Sequence, residues 1–256
     1  MAGKIRYVLT IVAMAVIALL PSLSFADPPR AKVVIDPGHG GQSMGAPGFH
    51  SVYEKYVTLQ VAQRLGRLLS ERKDIALTYT RTDDTFIDLK DRAEMANRID
   101  ADIFVSIHCN ASTSPEAHGI ETYYAGLGGE DRQADLVAER ENAGAALLDV
   151  EEDQALKGIL ADLGRNGTLN ESAVLAEEIQ NRMTRAFPET VSRDVRQARF
   201  AVLRRARMPA VVVEVGFITH EVEGMNLLLA PYQERLAAVM RDSIVAFLGR
   251  SLARAF

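Results

Sequence analysis

Three apolar runs constrain this chain most. They are Ala31-Lys32-Val33-Val34-Ile35-Asp36, Phe104-Val105-Ser106-Ile107-His108 and Ala210-Val211-Val212-Val213-Glu214-Val215. Such runs, rich in β-branched residues and closed by glycine, proline or histidine, read as strands buried on both faces. Two weaker strands are expected at 75–79 and 120–124. Between them Val57, Val61, Leu65, Leu68 and Leu69 recur at helical spacing, which predicts a helix over 54–71. Further helices are expected over 89–99 and 232–248. Strands alternating with helices imply a single α/β domain with a mixed, mostly parallel sheet and helices on both faces. A hydrophobic content of 48% and a charged content of 25% suit a globular core.

The first 26 residues stand apart. Lys4 and Arg6 precede an uncharged apolar run, 7–20, which Pro21 breaks before Ser24-Phe25-Ala26. This is the layout of a secretory signal cleaved after Ala26. A run this short falls below the roughly 20 residues a spanning helix needs. The mature chain is therefore expected to span 27–256 and to be exported. With 34 acidic and 29 basic residues overall, removal of those two cations leaves the mature chain at −7. That sign argues against nucleic-acid binding through bulk charge. A single cysteine, Cys109, excludes an internal disulfide framework and a multi-cysteine zinc knuckle. The surface gives no sign of assembly, and a monomer is expected.

The charge is uneven. Residues 130–178 hold 13 acids and four basic residues, so the rest of the mature chain is about +2. This stretch has no strand signal. Leu156, Ile159, Leu160 and Leu163 predict a short amphipathic helix closed by Gly164, and Thr168 with Glu171 resembles a capping box that opens another. Segment 130–178 thus reads as a helical insertion. Taken plainly, its acids form a solvated face.

The chemistry-bearing residues fall at strand ends. His39 follows the first strand in Asp36-Pro37-Gly38-His39-Gly40-Gly41, and His108 ends the central one. The carboxyl ends of strands are where α/β proteins carry their sites. Glu54 opens the first long helix, close enough in sequence to fold back over His39. Two imidazoles and a carboxylate suit a tetrahedral zinc with one open position. Each residue alone also fits a structural role. The glycine-rich loop lacks the lysine and hydroxyl of a phosphate-binding loop. Glu214 is the telling residue, because a carboxylate inside an apolar strand is costly to bury unless a cation or polarised water partners it. Burial would also raise its pKa toward a range useful for proton transfer. Cys109 should alternate into the core rather than into the site. Asp36 is a candidate to orient a metal ligand or to cap its loop, and Asn110 to position substrate or loop. Arg81 and Arg92 read as structural ion pairs before substrate contacts. His50, His118 and His220 have no partner motif.

Taken together, the Asp-Pro-Gly-His-Gly-Gly block, the glutamate on the next helix, Thr80-Arg81-Thr82-Asp83-Asp84 with Leu89 and Arg92, Ser106-Ile107-His108-Cys109-Asn110-Ala111 and Glu214-Val215-Gly216-Phe217-Ile218-Thr219 resemble the zinc-dependent N-acetylmuramoyl-L-alanine amidases of bacterial cell-wall turnover. The resemblance runs from about Ala31 to Gly249. The segment after Glu214 departs mildly, reading Phe217-Ile218-Thr219-His220 where the family often has a serine and an asparagine. The resemblance implies hydrolysis of the amide between N-acetylmuramic acid and L-alanine in peptidoglycan, in the periplasm and in cell separation at division. It implies one zinc ion on His39, Glu54 and His108, with Glu214 catalytic. It also implies that a glutamate of the insertion blocks the open zinc position, Glu141 being the first choice and Glu139 the second, and that a LytM-type activator relieves the block. The alternatives are a different peptidoglycan amide hydrolase and a non-catalytic peptidoglycan-binding protein.

Overall fold

A computed structural model describes residues 31–126, 129, 131–143 and 163–254. Six strands form one sheet: β1 (Ala31–Pro37), β2 (Ile75–Tyr79), β3 (Ile103–Asn110), β4 (Ile120–Ala125), β5 (Ser192–Ala198) and β6 (Ala210–Phe217). Their spatial order is β2-β1-β3-β6-β4-β5. Four pairings are parallel, and β4 runs antiparallel to β6. The expected mixed, mostly parallel α/β sheet is therefore present. The three runs that dominate the sequence are its central strands β1, β3 and β6, and β3 and β6 are buried along their whole lengths.

The described helices are α1 (Glu54–Ser70), α2 (Leu89–Arg98), α3 (Arg132–Glu141), α4 (Leu163–Ala186), α5 (Glu221–Leu227) and α6 (Ala230–Arg254). Strand alternation divides the core into two layers. Val33, Ile35, Ile103, Val105, Ile107, Val211 and Val213 face α1, α4 and α6. That layer includes Val57, Val61, Leu65 and Leu69 of α1 with Leu175, Ile179 and Met183 of α4. Each such buried side chain contributes about 1.5–3 kcal/mol. The opposite face is covered more thinly, by Ala96 of α2, Ala134 and Ala138 of α3, and the turn around Phe200, Val202 and Leu203. Asp36, Ser106, His108, Asn110, Glu121 and Glu214 share strand parity with this second face. Cys109 lies in the first, as its alternation requires.

Local chemistry sets the helix ends. Asp88 accepts from Lys90 N at the start of α2, and Asp131 accepts from Gln133 N and Ala134 N at the start of α3. Gly66 is obligatory on α1, because a Cβ there would meet the Tyr79 hydroxyl at 1.5 Å.

Two sequence expectations need correction. Gly164 does not close a helix, since α4 starts at Leu163 and runs through Gly164 and Gly167 to Ala186. Thr168 is inside α4 rather than at its cap, and its carbonyl accepts from Ser172 Oγ. The expected capping box is therefore absent. Packing of Leu175, Ala176, Ile179 and Met183 against the sheet makes α4 a core helix. Among the described residues of 130–178, α3 is the part that covers the polar face. Residues 156–162 of the expected short helix, and the 1–26 leader, lie outside the described residues. Strand β5 and helix α5 were not expected.

Candidate metal centre

The loop after β1 is built to hold one histidine. His39 has φ 61°, a conformation that costs a non-glycine residue on the order of 1 kcal/mol. Two arginines hold the backbone there. Arg92 donates to the carbonyls of Pro37 (2.9 Å) and His39 (2.7 Å) and pairs with Asp36 at 2.8 Å. Arg81 donates to the carbonyls of Pro37 (2.9 Å), Gly38 (2.6 Å) and Lys55 (2.9 Å). Arg92 is thus a structural ion pair, as expected, whereas these contacts of Arg81 go to carbonyl oxygens. Asp36 also accepts from Thr80 Oγ1 (2.5 Å) and Ser106 Oγ (2.7 Å). Burial alone would raise the Asp36 pKa; Arg92 and these hydroxyls outweigh it and hold the carboxyl below its ordinary range. Through Arg92, Asp36 is tied to the loop carbonyls of Pro37 and His39.

Four side chains converge above this loop. Glu54 reaches His39 Nε2 at 3.0 Å with one oxygen and His108 Nδ1 at 3.0 Å with the other. Glu141, at the end of α3, puts Oε2 at 3.1 Å from His39 Nε2 and 3.0 Å from His108 Nδ1. One donor atom from each of the four lies within 4.8 Å of the others. Yet His39 Nε2 and Glu141 Oε2 are buried without an aligned hydrogen bond. Short distances without hydrogen-bond angles are what ligands aimed at a common cation produce. The edges of 3.0–3.1 Å approach the ~3.3 Å expected between ligands of a tetrahedral ion with bonds near 2.0–2.1 Å. The residues present therefore fit a small divalent metal ion.

The surroundings fix three of the four. Glu54 accepts from Cys109 N (2.9 Å) and Ala46 N (3.0 Å). His39 Nδ1 meets Ser43 Oγ at 3.0 Å. A Cβ on Gly38 would meet His108 Cε1 at 2.4 Å, and one on Gly45 would meet Glu54 Oε2 at 2.6 Å, so both glycines make room for the cluster. Burial opposes protonation of the two imidazoles, but the neighbouring carboxylates outweigh it. They lift His39 to about 9 and His108 well above its ordinary value. A metal ion would replace those protons.

Glu214 sits beside His108 in the β3–β6 register. It is fully buried, and neither carboxylate oxygen has a hydrogen-bond partner. Burial, reinforced by Glu141 and Glu54, pushes its pKa well above the usual carboxylate range. Cys109, also fully buried, has its thiol pushed well up and is inert as a nucleophile. A cavity of about 230 Å³ opens beside the cluster, lined among others by Gln42, Ser43, Phe86, Ile87 and Asp88.

A family model described as N-acetylmuramoyl-L-alanine amidase matches residues 33–246. The chain belongs to this family. It is 32% identical over 240 residues to the amidase AmiA of Escherichia coli K12, covering 90% of this chain and 82% of that one. Among solved structures, an N-acetylmuramoyl-L-alanine amidase from Clostridium difficile 630 superposes with a TM-score of 0.67 at 31% identity, over 87% of this chain and 98% of that one. The amidase AmiC2 of Nostoc punctiforme gives 0.65 at 30%, over 86% and 98%.

In this amidase Asn110 does not face open solvent. Its Nδ2 donates to Glu121 Oε1 at 3.2 Å, and its Oδ1 accepts from Ala111 N (2.8 Å) and Arg140 Nη2 (2.7 Å). Glu139 is exposed on α3, away from the cluster that Glu141 joins. His118 and His220 stack on each other at 5.0 Å, and His50 packs edge-on against Phe49; none joins the cluster. Sequence reasoning missed Glu121, Arg140 and Arg193. Glu121 opposes Glu214 across the β4–β6 pair and accepts from Arg193 and Tyr123. The available signal was a second carboxylate in an apolar strand, Ile120-Glu121-Thr122-Tyr123-Tyr124.

Proposed function

We propose that this amidase is an exported, zinc-dependent enzyme of cell-wall turnover and cell separation. His39, Glu54 and His108 would hold one zinc ion, Glu214 would carry the proton, and Glu141 would fill the remaining zinc position. The carrying observation is the convergence of the two histidines and Glu54 beside a buried carboxylate with no partner. When bound, zinc polarises a carbonyl and makes a coordinating water more acidic. Glu214, unpaired in an apolar strand, takes the water proton and delivers it to the amide nitrogen. Asp36, Arg92 and Arg81 keep the His39 loop in its strained conformation while the bond between the lactyl carbonyl and L-alanine breaks. With Glu141 in the cluster, water and substrate are excluded. An activator of the LytM type that captures α3 would shift the population toward the open form.

Export is supported by the cationic start and apolar run of residues 1–26; no described helix is long and apolar enough to cross a membrane. Purified mature chain, digesting peptidoglycan with and without a chelator, tests the reading through mass spectrometry of the products. Chelator-sensitive release of stem peptides beginning at free L-alanine is expected. Cleavage within the stem peptide, or chelator-insensitive binding without cleavage, would overturn it.

A further inference from the structure

Helix α3 brings two adjacent charged residues to the site, and only Glu141 reaches the metal cluster. The guanidinium of Arg140 spans two oxygens at the end of β3. Nη2 donates to Asn110 Oδ1 at 2.7 Å, and Nη1 donates to the Ala111 carbonyl. Nε lies 3.4 Å from Glu141 Oε1.

The first of those acceptors is held in place without Arg140. The Asn110 side chain is buried, and its amide can point only one way. Glu121, itself tied to Arg193 and Tyr123, accepts from Nδ2. Arg193 and Tyr123 donate to Glu121, so its oxygens act as acceptors, Nδ2 must face it and Oδ1 faces Arg140. The backbone N–H of Ala111 steadies Oδ1 further at 2.8 Å. Asn110 also lies on the same β3 face as His108, two residues on, and Ile218 N ties its carbonyl to the end of β6 just beyond Glu214 at 2.8 Å. If α3 leaves, Asn110 Oδ1 and the Ala111 carbonyl at the end of β3 lose the Arg140 guanidinium as a donor.

Amide hydrolysis generates the matching donor. Water's oxygen joins the carbonyl carbon, the C–N bond breaks, and both water protons end on nitrogen. The products are a carboxylate and an ammonium, and the nitrogen passes from one N–H to three. Acceptors set for that gain stabilise the transition state more than the ground state. We infer that Asn110 Oδ1 and the Ala111 carbonyl receive the nitrogen of the scissile amide, and that Arg140 occupies this leaving-amine subsite as a cationic stand-in while Glu141 occupies the metal cluster. The inference rests on the proposed amide hydrolysis.

The two ends of the Arg140–Asn110 hydrogen bond then have opposite effects on rate, measured with the zinc-loaded full chain on a soluble muramyl peptide. Arg140→Ala raises the rate at least fivefold in the absence of any other protein. Asn110→Ala, compared within Glu141→Ala enzyme, lowers kcat at least tenfold with KM changed less than threefold and zinc content unchanged. A bond that merely held α3 down would leave the kcat of Glu141→Ala enzyme unchanged or raised on Asn110→Ala, and that result overturns the inference. A binding measurement on Arg140→Ala, which alters only a partly exposed side chain, avoids the risk that Asn110→Ala fails to fold. A stem peptide with a free L-alanine ammonium should bind at least tenfold more tightly than its N-acetylated form. Equal binding would overturn the inference. Absence of cleavage by every zinc-loaded variant would overturn the amide-hydrolysis reading itself, and this subsite with it.

Discussion

Glu54 and Glu141 each reach both histidines at 3.0–3.1 Å, yet they stand on very different supports. Glu54 opens a 17-residue helix that buries Val57, Val61, Ala62, Leu65 and Leu69, and two backbone N–H groups clamp its carboxylate. Glu141 ends a ten-residue helix that buries only Ala134 and Ala138 besides Glu141 itself. Polar contacts at its end, chiefly Arg140 to Asn110 and Asn142 to the 199–201 turn, hold it. At about 0.8 kcal/mol per buried carbon, the two alanine methyls contribute about one seventh of what the five apolar side chains of α1 supply. This difference in support is what the proposed function requires, a fixture in one place and a removable stopper in the other.

The largest expected effect breaks the fixture. Glu54→Ala should lower zinc affinity and activity by more than about 100-fold, since even the partners behind a ligand are worth 10–100-fold; metal analysis after dialysis checks it. Glu214→Gln should lower kcat by about 10²–10⁴-fold while zinc remains near one per chain, which separates proton carrier from ligand. Glu141→Ala should change activity in the opposite direction, a rise of about 5–150-fold if the stopper carries an ordinary coupling energy. Arg92→Ala acts on the fixture's base. It leaves Asp36 buried without its counter-ion, and should cost about 3–5 kcal/mol in denaturant unfolding. The smallest effect concerns metal removal. In zinc-free protein the His39 pKa is raised to about 9 from 6.5, so the stability from its pairing is complete below pH 6.5 and lost as pH rises through 9. Thermal melts should show that decline in chelated protein and not in zinc-loaded protein, whose imidazoles are already deprotonated.

Much of the fixed side was legible in the sequence. Strands buried on both faces leave apolar runs, and β1, β3 and β6 stood out accordingly. His39, His108 and Glu214 were visible because they interrupt or end such runs. Strand β5 was not, because it is an edge strand whose Ser-Arg-Asp-Val-Arg-Gln-Ala sequence keeps charge along an exposed margin. The join at Gly164 was misread because local glycine signals favour a stop, while packing of α4 against the sheet carries the helix through. Arg140 was not legible, because its partner Asn110 lies 30 residues away and nothing in its local context marks an arginine bound to a strand-end amide.

The central claim is that one of two equivalent-looking carboxylates can be removed. It is tested most directly by initial rates of L-alanine-terminated peptide release from peptidoglycan by zinc-loaded wild type and Glu141→Ala, with no other protein present. The account predicts a rate for Glu141→Ala at least about fivefold above wild type, the low end of an ordinary coupling. Equal or lower activity at the same zinc content would contradict it.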